Sequence, residues 1–489
     1  MLVHQAFRFE ADPNDHARSA LASHAGAARF AYSWGRATVL ERMHARRVLI
    51  ALAMRQGARA ADAGEWATGL VGAVPASLPA LRREWNAAKA EVAPWWEESS
   101  KEAYNSGLDA LARGLDAWHR PRQGRRKGRR VGFPRHHKRH AHRSFRVTTG
   151  AFGVVDGRHV RLPRVGVIRT KEPTAWLAAQ IDRGTARILS VTVSEHAGRW
   201  YVSFGCQVER PEAVPALPRT VVGVDVGVRS LAAVSTGEVA ANPRHLPRYA
   251  RRIARLQAQC SRRAGPARGR APSKRWCRSK AKLGRVHARV VAARSDGLHK
   301  LTTALATTYG TIVVEDLNVA GMTATARGSG HWRGKAGLNR AVLDASPAEL
   351  RRQLTCKTAW YGSRLAVADR WYPSSKTCSA AKTVKAKLSL AERTFRCEHC
   401  GLVVDRDRNA AVNLAPLVEA HTSTGAAAAA GTSQDTLPAS GRGEERSMGS
   451  PRCSSASRQD GTGPSRPERT VTATRRRVTP KPVLVESDR

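Results

Sequence analysis

Acidic residues are scarce in this chain. Asp and Glu number 39 against 83 Lys and Arg, a formal charge of +44 over 489 residues and a pI near 11.4. An enzyme of small metabolites has no need of that excess, and it argues for a polyanionic partner, of which nucleic acid is the commonest. A basic protein resting on a membrane surface is the plainer rival. Aromatic residues are also few, at 6%, and none occurs beyond residue 416. No apolar run approaches the 18 or so residues that a membrane span requires. The opening "MLVHQAFRFEADPND" turns acidic and polar too soon for a secretory signal. The eight cysteines are scattered except for those between 378 and 400, which excludes a disulfide framework. A soluble, intracellular protein is expected, and 42% hydrophobic residues leave material for a substantial core.

Periodicity divides the chain. "LVHQAFRFE" alternates as a strand does. From about 15 to 118 the apolar residues fall at helical spacing, with Tyr104, Leu108, Leu111 and Leu115 forming one stripe. The stretch 119–146 then carries twelve Lys and Arg and no acid, with Phe133, Pro134 and Phe145 among them. Most charge runs are solvated faces. Aromatics and turn residues inside one favour a loop that follows a phosphate backbone, with Arg125, Arg126, Lys127, Arg129, Arg130 and Arg135 as the contacts. Short alternating strands from 147 to about 210, with "HAGRW" as a hairpin loop, predict a small barrel-like β-domain that pairs with the N-terminal strand. The helical block is then an insertion in that domain. Residues 220–415 read as an α/β unit. "TVVGVDVGVRSLAAVSTG" predicts two strands and a tight turn. Tyr249, Ile253, Leu256 and Cys260 predict one buried helix seam, leaving Arg251, Arg252 and Arg255 on an outer, nucleic-acid-facing ridge. The tail after 416, with "GAAAAAG", lacks the residues to bury a core and is expected to be disordered.

Several acids interrupt otherwise apolar strands or begin a helix. Asp225 follows "VVGV" and is expected within a strand, Glu315 ends "TIVV", and Asp405 and Asp407 stand at a strand-to-helix transition where an acid can cap the helix. Buried carboxylates are costly unless paired or bound to metal. Three such positions point to a shared cluster suited to Mg²⁺ or Mn²⁺. Two such ions about 3.5–4 Å apart activate water and stabilise the leaving oxygen in phosphodiester cleavage.

"GVDVGVRSLAAVSTG", "VVEDLNVAGM" and "DRDRNAAVNLA", in that order, resemble the three motifs of a RuvC-like nuclease of the RNase H fold, and more narrowly those of the TnpB (OrfB) family encoded by insertion sequences. The resemblance extends through "GRRVGFPR", "NPRHL" and "LHKLTT" and covers roughly residues 3 to 416. It implies a transposon-encoded, RNA-guided DNA endonuclease that holds a guide RNA, reads a short target-adjacent motif and cuts double-stranded DNA at one metal-dependent RuvC site. The family's acids fall on Asp225, Glu315 and Asp407, with Asp405, and Asp316 beside Glu315, as supporting groups. The implied organisation is a wedge β-domain (1–14 and 147–215) with a helical recognition insertion (15–146), a RuvC-like domain (216–376 and 402–416), a zinc ribbon (377–401) and a tail (417–489). A cytoplasmic, nucleoid-associated bacterial protein is expected.

The ribbon departs from the family pattern of two C-x-x-C pairs. Cys378, Cys397 and Cys400 match three ligands, Ala381 stands at the fourth, and Lys382 stands where glycine often follows. A structural Zn²⁺ site takes four ligands in a tetrahedron, so weakened zinc or none is expected, with His399 as an awkward substitute. Two other classes stay open: a non-cutting RNA- and DNA-binding relative, and a strand-transferring transposase or its accessory protein. The intact acids and the ribbon before the last of them favour the nuclease.

Overall fold

The computed structural model describes residues 1–124, 131–137, 143–267, 269–324, 332–389 and 391–418, with only the backbone described at 332 and 333. The expected tail lies outside the described residues from 419 onward.

The first strand, β1 (Leu2–Asp12), leads into α1 (Asp15–Arg55), whose start is capped by Asn14 Oδ1 accepting from the Ala17 amide at 2.8 Å. Leu21, Ala25, Ala28, Tyr32, Gly35 and Val39, spaced four and three apart, form the buried stripe of α1. Helices α2 (Ala60–Val71), α3 (Leu78–Val92) and α4 (Lys101–His119) follow. The stripe on α4 is the expected one, with Tyr104, Leu108, Leu111 and Leu115 buried. Helices α1 and α4 touch backbone to backbone at Gly107, where a Cβ would lie 2.0 Å from the Ala28 carbonyl oxygen.

Next come β2 (Ser144–Val147), β3 (Gly153–Val154), β4 (His159–Leu162), β5 (Gly166–Thr170), α5 (Ala175–Asp182), β6 (Ala186–His196) and β7 (Arg199–Glu209). They form a seven-stranded sheet in the order β2-β6-β7-β1-β5-β4-β3, so the N-terminal strand does pair centrally. The β6–β7 hairpin turns on Ala197 and Gly198, both at positive φ, as a two-residue hairpin requires. Among the described residues the expected barrel does not close: β2 and β3 are the two edges. The free edge of β2 is occupied instead. The Arg146 amide donates to Ser106 Oγ at 3.0 Å and the Thr148 amide to Glu102 Oε2 at 3.0 Å, both acceptors lying on α4. Phe145, Val193, Val202 and Phe204 of the sheet share one buried cluster with the helical stripes.

The second sheet is built from β8 (Leu217–Asp225), β9 (Ser230–Val234), β10 (Val239–Ala241), β11 (Tyr309–Glu315) and, after other elements, β12 (Arg364–Ala368). Its order is β10-β9-β8-β11-β12. The first three strands run antiparallel to their neighbours, while β8, β11 and β12 run parallel. Between β10 and β11 lie α6 (His245–Ser261) and α7 (Lys274–Thr308). Between β11 and β12 lie α8 (Val319–Met322), α9 (Trp332–Ala345) and α10 (Pro347–Tyr361), of which neither α9, α10 nor β12 stands out in the sequence. A two-stranded ribbon, β13 (Thr394–Arg396) and β14 (Val403–Asp405), precedes α11 (Arg406–Leu414).

Both faces of this sheet are covered, which explains its continuous apolar runs. Val222, Val224, Ile312 and Val314 pack with Leu298, Leu305, Leu350 and Leu354 of α7 and α10. Val313, on the opposite face, packs with Leu414 of α11. The predicted α6 seam is present, with Ile253 and Leu256 against Leu283 and Val286 of α7. Among the described residues no helix is long and apolar enough to cross a membrane.

Candidate carboxylate and thiol sites

Three elements bring the acids together. Strands β8 and β11 are hydrogen-bonded neighbours within the sheet, with Val224 opposite Val314, so their terminal residues Asp225 and Glu315 emerge side by side at the C-terminal ends of these strands. Asp225 therefore ends its strand and does not sit in the middle of it as expected. Helix α11 crosses β8 at Gly223, where a Cβ would be 2.0 Å from the Ala411 carbonyl oxygen. A side chain there would push the helix away, and Asp407, in the first turn of α11, with it. Asp407 Oδ2 lies 3.9 Å from where a Cβ on Gly227 would stand, at the turn after β8.

Burial first, then the charges of Glu315 and Asp407, push the Asp225 carboxyl up to about 8, with Arg406 opposing and Asp405 adding to the rise. Glu315 accepts a hydrogen bond from the Ser374 hydroxyl. Asp405 is the N-cap of α11, its Oδ1 accepting from the amides of Asp407 at 3.0 Å and Arg408 at 3.2 Å. Asp316 is turned aside into ion pairs with Arg351 and Arg370, which hold its carboxyl below the usual range. A cleft of about 250 Å³ opens next to Glu315 and is walled by Leu317, Ala348, Arg351, Arg352 and Thr355.

The thiols converge more tightly than the acids. The sulfurs of Cys378, Cys397 and Cys400 all lie within 4.8 Å of one another, with Cys378 and Cys400 3.6 Å apart, and among the described residues they are the one group of His, Cys, Asp or Glu found at metal-ligand spacing. The Thr383 hydroxyl, then the amides of Cys400 and His399, hold the Cys397 thiol down at about 6. Ala381 packs against the cluster of Cys378, Phe395 and Cys397, and its amide lies 3.4 Å from Cys378 Sγ.

Asn409 and Asn413, both fully buried, went unnoticed in the sequence. Asn413 Nδ2 donates to the carbonyls of Ser374 at 3.0 Å and Thr377 at 2.6 Å. Asn409 donates to the Thr377 carbonyl at 2.7 Å and accepts from the Ser379 amide at 3.0 Å. They tie the first cysteine turn, and Ser374 with it, to the helix that carries Asp407. The signal was there: two asparagines four apart on an alanine-rich helix, "RNAAVN".

Of the expected nucleic-acid contacts, Arg251, Arg252 and Arg255 are exposed on α6 as predicted, and Arg135 is exposed on a segment strapped to α1 by Tyr32. Arg125, Arg126, Lys127, Arg129 and Arg130 lie outside the described residues.

The molecule is thus a mixed α/β multidomain protein with an acid cluster at the C-terminal ends of two neighbouring strands and a thiol cluster beside it. A family model described as a probable transposase of the IS605 OrfB type matches residues 203–326, a Cas12f1-like TNB domain matches 348–414, and an OrfB helix-turn-helix domain matches 1–47. Residues 1–47 fold here as β1 and part of one uninterrupted helix. A protein of Mycobacterium tuberculosis named "Putative RNA-guided DNA endonuclease" is 39% identical over 472 residues, covering 91% of this chain and 95% of that protein. An Escherichia coli protein with the same description, InsQ, is 30% identical over 84% of this chain and 91% of its own length. A solved Cas12f1–sgRNA–target DNA complex covers 85% of this chain and 99% of that one, at a TM-score of 0.41 and 13% identity. The chain belongs to the IS605 OrfB (TnpB) family.

Proposed function

We propose that this chain is a transposon-encoded, RNA-guided DNA endonuclease that cuts at a single metal-dependent, RuvC-like site formed by Asp225, Glu315 and Asp407. The observation that carries the reading is geometric: Asp225 and Glu315 end neighbouring paired strands, and the first turn of α11 brings Asp407 up to the turn after β8, so that burial and the two other carboxylates push the Asp225 carboxyl up. The donor set is all oxygen, which fits Mg²⁺ or Mn²⁺, and Glu315 lines a cleft. The strand order, three antiparallel strands followed by two parallel to the third, supports the RNase H-like reading of the sequence motifs.

Bound divalent cations supply an activated water and charge stabilisation at the scissile phosphate. The residues of this chain set the stage for that. Asp225 and Glu315 face one another from adjacent strand ends. Asp407 closes the third side from α11, and Asp405 fixes the first turn of that helix by capping it. The Ser374 hydroxyl holds Glu315 in one orientation. The exposed arginines of α6, and those of the 119–146 run, bind phosphate backbones in a way that weakens with salt. Base pairing with the guide reads the target, and the protein reads duplex shape and the short adjacent motif.

The thiol cluster fits zinc in part. Three thiols converge at ligand spacing, while the fourth position, Ala381, offers no donor. We assign it a weakened Zn²⁺ site that Cys378, Cys397 and Cys400 would hold. That defect favours a second reading, a relative that binds RNA and DNA without cutting.

Plasmid cleavage decides between them. The protein is purified with RNA from its own locus, the guide is reprogrammed, and targets with randomised flanks and Mg²⁺ are added. Guide-dependent cuts beside a fixed flanking motif, lost in Asp225→Ala, are expected. An intact plasmid despite bound RNA sinks the cutting function.

A further inference from the structure

Trp371 is the most exposed large apolar side chain among the described residues, at 85%. Other tryptophans pack on neighbours: Trp34 meets Trp85, Trp118 meets Phe133, and Trp176 meets Phe7. Trp371 sits on the turn that follows β12, and that turn is tightly held. The Trp371 amide donates to Asp369 Oδ1 at 2.8 Å, and the Tyr372 amide donates to the Asp369 carbonyl at 3.2 Å. Its neighbours are pinned on both sides. Arg370 is paired with Asp316, next to Glu315, and donates from Nε to the Asp316 carbonyl at 3.3 Å. Tyr372 packs on Val313 and Leu414. Two residues further on, Ser374 hydrogen-bonds Glu315 and is held by Asn413. An indole is thus kept in water by a braced turn beside the acid cluster, a placement that no packing need explains.

We propose that Trp371 is a stacking platform for an unpaired base of the DNA strand passing the acid cluster. The inference rests on the nuclease reading above. Every base has a π-face, so such a platform holds single strands without reading sequence. The braced turn presents the ring without ordering cost at binding. Strands paired in a duplex keep their bases stacked on each other, so the platform selects single-stranded DNA.

The test uses the full chain carrying Asp225→Ala, which prevents cleavage, and measures binding of a short oligothymidylate and of an abasic oligonucleotide of equal length. Salt is raised to suppress the electrostatic share. Trp371→Ala is expected to weaken oligothymidylate binding by roughly 5- to 100-fold and leave abasic binding unchanged, with Trp371→Phe retaining most of the affinity. No loss, or equal loss on both oligonucleotides, overturns the proposal. Plasmid cleavage by the unsubstituted protein is run beside it. Failure there alone removes the nuclease reading and leaves the binding result to stand or fall by itself.

Discussion

Residues 378–382 and 397–401 make the same turn from different side chains. In the first, the Lys382 amide donates to the Cys378 carbonyl at 3.0 Å and the Cys378 amide to the Thr383 carbonyl at 2.8 Å. In the second, Gly401 donates to Cys397 at 3.1 Å and Cys397 to Leu402 at 2.9 Å. The Ala381 amide points at Cys378 Sγ at 3.4 Å, as the Cys400 amide does at Cys397. Lys382 and Gly401 both take the left-handed conformation, at φ 57° and 70°. The second turn has the residues this backbone favours, cysteine then glycine. The first has alanine then lysine, yet keeps the geometry. A cysteine turn therefore does not owe its shape to its cysteines alone. Here the shape is imposed from outside, by Asn409 and Asn413 of α11.

Supplying the missing ligand is the most forceful way to sharpen this contrast. Because the first turn already has the backbone bonds of 397–401, Ala381→Cys places a thiol at the position that Cys400 holds in the second turn. Zinc affinity is expected to rise by about 100-fold, the upper end of what removing a mere outer-shell partner costs. Chelator competition on the full chain measures it. Equal affinity in the two proteins would mean that the three thiols do not hold zinc, or that another group already fills the fourth vertex.

Removing the external brace breaks the contrast from the other side. Asn413→Ala deprives the Ser374 and Thr377 carbonyls of a buried donor and is expected to cost about 1–3 kcal/mol. The loss should be local. Amide exchange accelerates across 376–383 and stays unchanged across 397–402, whose ribbon strands pair with each other. Uniform acceleration in both turns would show that they open as one unit and that α11 braces neither in particular.

How much of this was legible beforehand follows the range of the interactions. The helical stripe of α4, the hairpin at 197–198 and the capping acid Asp405 depend on neighbours in sequence, and periodicity or turn chemistry reveals them. The meeting of Asp225 and Glu315 depends on pairing between strands some ninety residues apart; acids on apolar strands point to a shared cluster, but no local pattern says which strands pair. The open edge of β2 escaped because the groups that satisfy it, Ser106 and Glu102, sit on a helix some forty residues earlier. Asn409, Asn413 and Ser374 escaped for a related reason. A polar residue in an alanine-rich helix reads as surface until the segment that buries it is known.

The smallest test compares the two left-handed residues directly. An L-residue in that conformation costs about 1–2 kcal/mol relative to glycine. Nothing lies within 4 Å of a Cβ placed on Gly401, so Gly401→Ala meets no clash, and the backbone strain alone should destabilise the turn by about that amount. Lys382 already carries the strain, and in return its Nζ donates to Asn413 Oδ1 at 3.3 Å, a long and solvent-accessible bond worth less than about 1 kcal/mol. Lys382→Gly should therefore stabilise the first turn, by less than Gly401→Ala destabilises the second, because relieving the backbone also gives up that bond. Urea unfolding of the two variants reads the difference. If Lys382→Gly instead destabilises, the contact with Asn413 outweighs the backbone strain, and the lysine itself, reaching to the helix that bears Asp407, is what holds the ligand-poor turn in shape.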